Sequence, residues 1–226
     1  MNKYNLVNLI EYFAPPELQE KWDCSGWQVD TTSEEVKRVL IALTVTDDVF
    51  NQAIERHCDM IIAHHPMFYV PINFSTIDIY SAHTNMDKAL GGTTDTFVES
   101  IGLTAHPIGE FLRIADIDIS VKDLAQKIKK VSPNARIVNN KNIQKLSKIA
   151  FCAGSGMDLY NEALENKCDC FVTGDLKYHS AIDSNIVIID AGHFETEILI
   201  KKVFQDLIKE NVEVIIANEK SPFKNI

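Results

Sequence analysis

This chain repeats itself, and nothing else in it restricts the fold as much. Asp48-Val49-Phe50-Asn51-Gln52-Ala53-Ile54-Glu55-Arg56-His57-Cys58-Asp59 lies without a gap over Asp158-Leu159-Tyr160-Asn161-Glu162-Ala163-Leu164-Glu165-Asn166-Lys167-Cys168-Asp169, an offset of 110 residues. Asp, Asn, Ala, Glu, Cys and Asp recur, and apolar positions exchange for apolar ones. The same offset carries Ile77 onto Val187, His83 onto His193 and Asp87 onto Glu197. Each half reads as strand, helix, strand, polar loop, strand and then His-x-x-x-carboxylate, a pattern that predicts two related α/β units.

Hydrophobic spacing and caps place the other elements. Helices are expected over 4–13, 49–57 (capped by Thr46 or Asp47), through 97–101 (capped by Thr93 or Thr94) and over 121–130, where Ser120 is the cap. Strands are expected over 36–46, 60–63, 77–82, 110–119 and 135–138. In the second half the pattern gives strands at 149–153, 168–173, 186–189 and 212–217. It also gives a helix over 157–166 and one long amphipathic helix over 194–209. Trp22 and Trp27, around Asp23 and Gly26, read as a packed corner or a pocket wall, with packing preferred. The whole of 1–226 then forms one domain, with repeat lobes at about 36–119 and 146–226 behind an N-terminal helix and loop over 1–35.

A net charge of −10 argues against bulk attraction to nucleic acid or anionic lipid. No apolar run approaches the roughly 20 residues of a membrane span. The N-terminus lacks the long apolar region and cleavage site of a signal peptide. Five cysteines, an odd number without framework spacing, read as reduced thiols in a cytoplasmic protein. Cys168-x-Cys170 is better explained by packing than by metal binding, since no second thiol pair completes a site.

The chemistry gathers at strand ends. Met60-Ile61-Ile62-Ala63 stops at His64-His65-Pro66, and Pro66 keeps His65 out of helical geometry. Ligands of open α/β sheets bind at the carboxyl ends of strands, and neutral imidazole is the commonest protein metal ligand. A histidine that only packs has no reason to recur with an acid four residues later. His193 and Glu197, one helical turn apart, share a face. Facing lobes would bring His83/Asp87 and His193/Glu197 together around His64-His65, enough imidazoles and carboxylates to hold two divalent ions.

Five segments carry a family resemblance: Trp22-Asp23…Gly26-Trp27-Gln28-Val29, Ile62-Ala63-His64-His65-Pro66, Ser81-Ala82-His83-Thr84-Asn85-Met86-Asp87, Thr173-Gly174-Asp175-Leu176-Lys177-Tyr178-His179 and Asp190-Ala191-Gly192-His193-x-x-x-Glu197. In order and over nearly the whole length, they resemble the Ngg-interacting-factor-three-like family, whose members are named GTP cyclohydrolase 1 type 2 homologues. The resemblance implies two intertwined, pseudo-symmetric α/β repeats with mixed sheets, a dinuclear metal centre and a ring-shaped homohexamer. It leaves no room here for the domain that longer members insert between the halves. Its ligands fall on His64, His65, Asp87, His193 and Glu197. His83 becomes a close neighbour of the metals, and Asp175, Lys177 and His179 become cleft residues. Trp27 and Cys24 depart from the family's usual Leu and Asn.

The implied reaction is hydrolysis, with metal-activated water attacking a purine nucleotide or a related cyclic amide or amidine. His83, His179 or Asp175 would move the proton, and Lys177 would hold a phosphate or an anionic transition state. Imidazole and carboxylate ligands suit Zn, Fe, Mn, Co or Ni. The rival is a protein that carries metal or uses it as a scaffold without catalysis. A ring around nucleic acid is disfavoured by the acidic balance.

Overall fold

A computed structural model describes residues 1–224. Along the chain lie α1 (Lys3–Phe13), β1 (Gly26–Val29), β2 (Arg38–Ala42), α2 (Asp47–Glu55), β3 (Met60–Ala63), β4 (Asp78–Ser81), α3 (Thr84–Lys88), α4 (Thr93–Ser100), β5 (His106–Ile108) and β6 (Leu112–Ser120). Then come α5 (Val121–Lys129), β7 (Arg136–Val138), β8 (Lys145–Phe151), α6 (Tyr160–Glu165), β9 (Cys170–Thr173), α7 (Tyr178–Ile182), β10 (Val187–Asp190), α8 (His193–Glu197), α9 (Ile200–Ile208) and β11 (Glu213–Ile216).

Two compact units result. One comprises Met1–Gly92 with Ile200–Lys220, the other Thr93–Leu199 with 221–224. The first unit therefore takes α9 and β11 from the far end of the chain, while α4, encoded directly after the first repeat, belongs to the second. This exchange is the intertwining of the α/β repeats. The stretches 36–119 and 146–226 are lengths of sequence, and the compact units cut across them at Gly92 and Leu199.

In the first unit the sheet order is β1-β4-β3-β2-β11, parallel except for β1. Every residue of β3 and β4 is buried, as expected of parallel strands covered on both faces. Leu40, Ile61 and Ile79 pack with Val49, Phe50 and Ala53, and Phe50 stacks on Phe74 with centroids 4.2 Å apart. Lys3, fully buried, donates to Asp78 at 2.9 Å and to the Thr31 carbonyl at 2.7 Å, fastening α1 to the start of β4.

The second unit has the order β5-β6-β8-β9-β10-β7, with β8, β9 and β10 parallel and the other pairs antiparallel. Buried Arg113 donates through Nε to both Asp95 oxygens at 2.9 Å and so holds α4 to β6. Cys168 and Cys170 are buried in different apolar clusters. Burial pushes the Cys168 thiol up to about 11.

The repeat is visible in hydrogen bonds. Asp59 accepts from the amides of Lys37 and Arg38, and Asp169 from those of Ser147 and Lys148. His57 and Lys167, at the same place after each helix, both adopt positive φ, 54° and 59°. Three features differ from the sequence expectation. The helix over 157–166 opens with a 3₁₀ turn, Met157–Leu159, because Gly156 stands where Thr46 caps α2 through its hydroxyl. The single helix over 194–209 is two, α8 and α9, which fall in different units. The short elements β5, α3 and α7 were not expected, being too brief to carry a periodic signal.

The fourth difference concerns the offset. Ile61 pairs with Ile79, but Phe171 pairs with Ile188, so equivalence changes from 110 to 109 residues across the intervening loop. The turns agree: Asp87 N–H donates to the His83 carbonyl, and Thr196 N–H to that of Gly192. The structural counterpart of His83 is therefore Gly192, and that of Thr84 is His193. The second loop is one residue shorter, which an ungapped comparison cannot register.

Asp169→Ala should destabilise the protein by about 0.5–1.5 kcal/mol in urea unfolding, through the hydrogen bonds it removes from the Ser147 and Lys148 amides. Burial raises the Asp169 carboxyl, but hydrogen bonds from Ser147 and Lys148 outweigh it and hold it below the ordinary value. Its contribution is complete above pH 4 and is lost on further acidification, so wild type and variant should converge in acid.

Candidate metal centre

In the first unit β3 delivers His64 and His65 to the carboxyl end of three parallel strands. Buried His64 donates through Nδ1 to the Ala82 carbonyl at 3.0 Å, and its Nε2 lies 3.5 Å from Asp87 Oδ1. A carbonyl only accepts, so this bond fixes the proton on Nδ1 and leaves Nε2 as the basic nitrogen. His65 Nδ1 is 2.7 Å from Thr44 Oγ1. His83 Nδ1 lies 3.0 Å from Asp23 Oδ1. One ligand atom from each of His64, His65 and His83 lies within 4.8 Å of the others. Converging imidazoles, each with its second nitrogen held by an oxygen, are what divalent-metal ligation requires. This donor set fits the ions that the sequence implies.

The repeat grouped His83 with His64-His65, and the resemblance made it a neighbour of the metals and a proton carrier; the structure seats it in the imidazole cluster. Asp23 and Thr44 went unrecognised. The Asp23 side chain is fully buried and accepts from the Cys24 amide at 2.7 Å, Ser25 Oγ at 2.7 Å, and Thr84 through N and Oγ1 at 3.1 and 2.6 Å. Burial pushes its carboxyl up, but hydrogen bonds from His83, Thr84 and Ser25 prevail and hold it far below the usual carboxylate range. It is thus a fixed anion that orients His83. The segment expected as a packed corner therefore does two things. Trp27 packs edge-on against Tyr4 and Tyr80 with centroids at 5.5 Å, while Asp23 serves the site. An acidic residue with a hydroxyl two positions on was the available signal.

In the second unit α8 begins directly after Gly192, whose φ of 81° suits glycine. His193 Nε2 is 2.9 Å from Glu197 Oε2, as expected of one helical turn, and its Nδ1 is 2.7 Å from Asp175 Oδ2. Burial lowers the His193 pKa, but the Glu197 and Asp175 carboxylates prevail and lift it to about 9. Asp175, expected as a cleft residue, thus grips the imidazole, from backbone in the left-handed region at φ 55°. Imidazole backed by carboxylate is again metal-site chemistry. Gly154, at φ 66°, leaves space for the acid, since a Cβ there would collide with Glu197 Oε1. Lys177 precedes α7 and His179 lies within it; both are exposed, and the His179 ring stands 5.5 Å from that of Tyr178.

A family model, Duf34/NIF3 (NGG1p interacting factor 3), matches residues 1–222. The chain belongs to this family. It is 31% identical over 97% of its length to a protein of Clostridium acetobutylicum named GTP cyclohydrolase 1 type 2 homolog, 97% of which is covered. Among solved structures, reduced HcgD from Methanocaldococcus jannaschii is 28% identical with a TM-score of 0.83, over 96% of this chain and 97% of that one. A Bacillus cereus protein related to NIF3 shares the fold at a TM-score of 0.87 and 22% identity, over 100% and 99%. No helix among the described residues is long and apolar enough to cross a membrane.

In metal-free protein, NMR should show His193 titrating near pH 9, and Glu197→Gln should return it towards 6.5. Because the folded pKa is raised, the ion pair's contribution to stability is complete below pH 6.5 and is lost as pH rises through 9. Gly154→Ala should weaken zinc binding at least about 10-fold by displacing Glu197, in competition with a chelator.

Proposed function

We propose that this protein is a metal-dependent hydrolase of the GTP cyclohydrolase 1 type 2 kind. The metal ligands that the family resemblance implies are His64, His65, Asp87, His193 and Glu197. The observation that carries the reading is the cluster of three imidazoles with their Nδ1 atoms held on oxygens, since packing alone would not gather them. The name borne by the curated relatives supports the substrate class, a purine nucleotide or a related cyclic amide or amidine.

When bound, two divalent ions at these ligands supply Lewis acidity and a water activated at neutral pH. The protein's own groups do the rest. Asp23 keeps His83 oriented, and His83 holds or releases a proton beside the substrate. Asp175 fixes the ring orientation of His193, and the carboxylates of Asp87 and Glu197 balance the cationic charge. Lys177 offers a mobile ammonium for a phosphate, and exposed His179 offers a second proton acceptor. A ring-shaped homohexamer, which rests on the family, and residence in the cytoplasm, which rests on the cysteine usage, belong to the same proposal.

Metal-loaded protein should open GTP or another member of a panel of nucleotides and cyclic amides, with product followed by mass spectrometry. A chelator should stop turnover and added metal should restore it. His64→Ala and Glu197→Gln should each abolish it while leaving the protein folded. Stoichiometric metal binding without turnover of any panel member would instead support a metal carrier.

A further inference from the structure

The seat of His65 is built from the far end of the chain. Its backbone N–H donates to the Leu43 carbonyl at 2.9 Å, and its Nδ1 meets Thr44 Oγ1 at 2.7 Å. The ligand thus rests, by main chain and side chain, on the two residues that follow β2. Those two residues are clamped in turn. Glu219 Oε2 accepts from the Leu43 amide at 2.9 Å, and Oε1 accepts from the Thr44 amide at 3.0 Å. Lys201 Nζ donates to Glu219 Oε2 and to the Ala217 carbonyl, both at 2.9 Å. The Lys201 and Glu219 side chains are each only 9% exposed, so the pair is shielded from the solvent screening that makes surface ion pairs weak. The segment is registered independently: Ala217 N–H donates to the Ile41 carbonyl, and Asn218 N–H to Gln52 Oε1, both at 2.8 Å.

We propose that Glu219, held by Lys201, is a positioning residue that acts through Thr44 to set the orientation and tautomer of the His65 imidazole. The other two imidazoles of the cluster have no need of it. His64 is fixed by a carbonyl and His83 by a carboxylate, groups that only accept, whereas the Thr44 hydroxyl can donate or accept. His65 is therefore the one ligand whose tautomer depends on how its partner is held. A two-oxygen carboxylate at 219 defines the Leu43-Thr44 turn, and the turn defines the hydroxyl. The inference rests on reading His65 as a ligand, and the test separates the two ideas.

Long-range proton–nitrogen spectra of metal-free full-length protein should show the His65 ring nitrogens shifted in Glu219→Gln and in Thr44→Val. Those of His64 and His83 should stay unmoved, and Thr44→Ser should restore the wild-type pattern. Competition with a chelator should show zinc held about 10–100-fold more weakly in both variants, the usual effect of losing an outer partner. Equal shifts of all three imidazoles, or an unmoved His65, would overturn the inference. Should Glu219→Gln fail to fold because Lys201 is stranded, the double variant Lys201→Met/Glu219→Gln removes that charge, and Thr44→Val leaves the pair intact. If wild-type protein binds no zinc, the metal reading falls, and the ring-nitrogen signals alone decide the role of Glu219.

Discussion

Three parallel strands that end together impose the chemistry of the first unit. β2, β3 and β4 are buried along their lengths, so their polar backbone and side-chain groups concentrate where the ladder stops. Thr44, His64, His65 and His83 all lie within two residues of such an end. Groups gathered there must satisfy one another, and an oxygen stands behind Nδ1 of each imidazole. The same condition operates in the second unit, where Gly154 and Gly174 follow β8 and β9 and His193 follows β10. There the glycines matter through what they lack, since side chains at either place would strike Glu197 or the backbone of His193.

Much of this could be read from residue order. The duplication announced two α/β units, and the apolar runs that halt at His64 and near His193 located the chemistry. Residues that act by supporting a ligand were harder to find. Thr44 lies 21 residues from His65, which it touches, and Glu219 lies 154 residues from it and reaches it through Thr44; neither carries a spacing signature. For Asp23 the served residue is His83, 60 positions on. Only the folded chain connects them. The expected helix over 194–209 divides for a related reason: its spacing carries no sign that 193–197 and 200–208 belong to different units.

The two halves have diverged at instructive positions. Thr44 corresponds to Gly154 and Thr46 to Gly156, at the common offset of 110. In the first half the hydroxyls support His65 and cap α2; in the second, their loss admits Glu197 and lets the helix open as a 3₁₀ turn. The shortened second loop then brings His193 to the place of Thr84 instead of His83. A duplicated scaffold has thus been fitted with unlike donor sets, three imidazoles and an acid in one half, an imidazole between two acids in the other.

The crossing of the chain at Gly92 and its return at Ile200 bear on how such a molecule could have arisen. A gene for the first half alone would encode β1–β4 without α9 and β11, which complete that unit but are encoded in the other half. Within one polypeptide that exchange is intramolecular, so the completion of each unit does not depend on protein concentration.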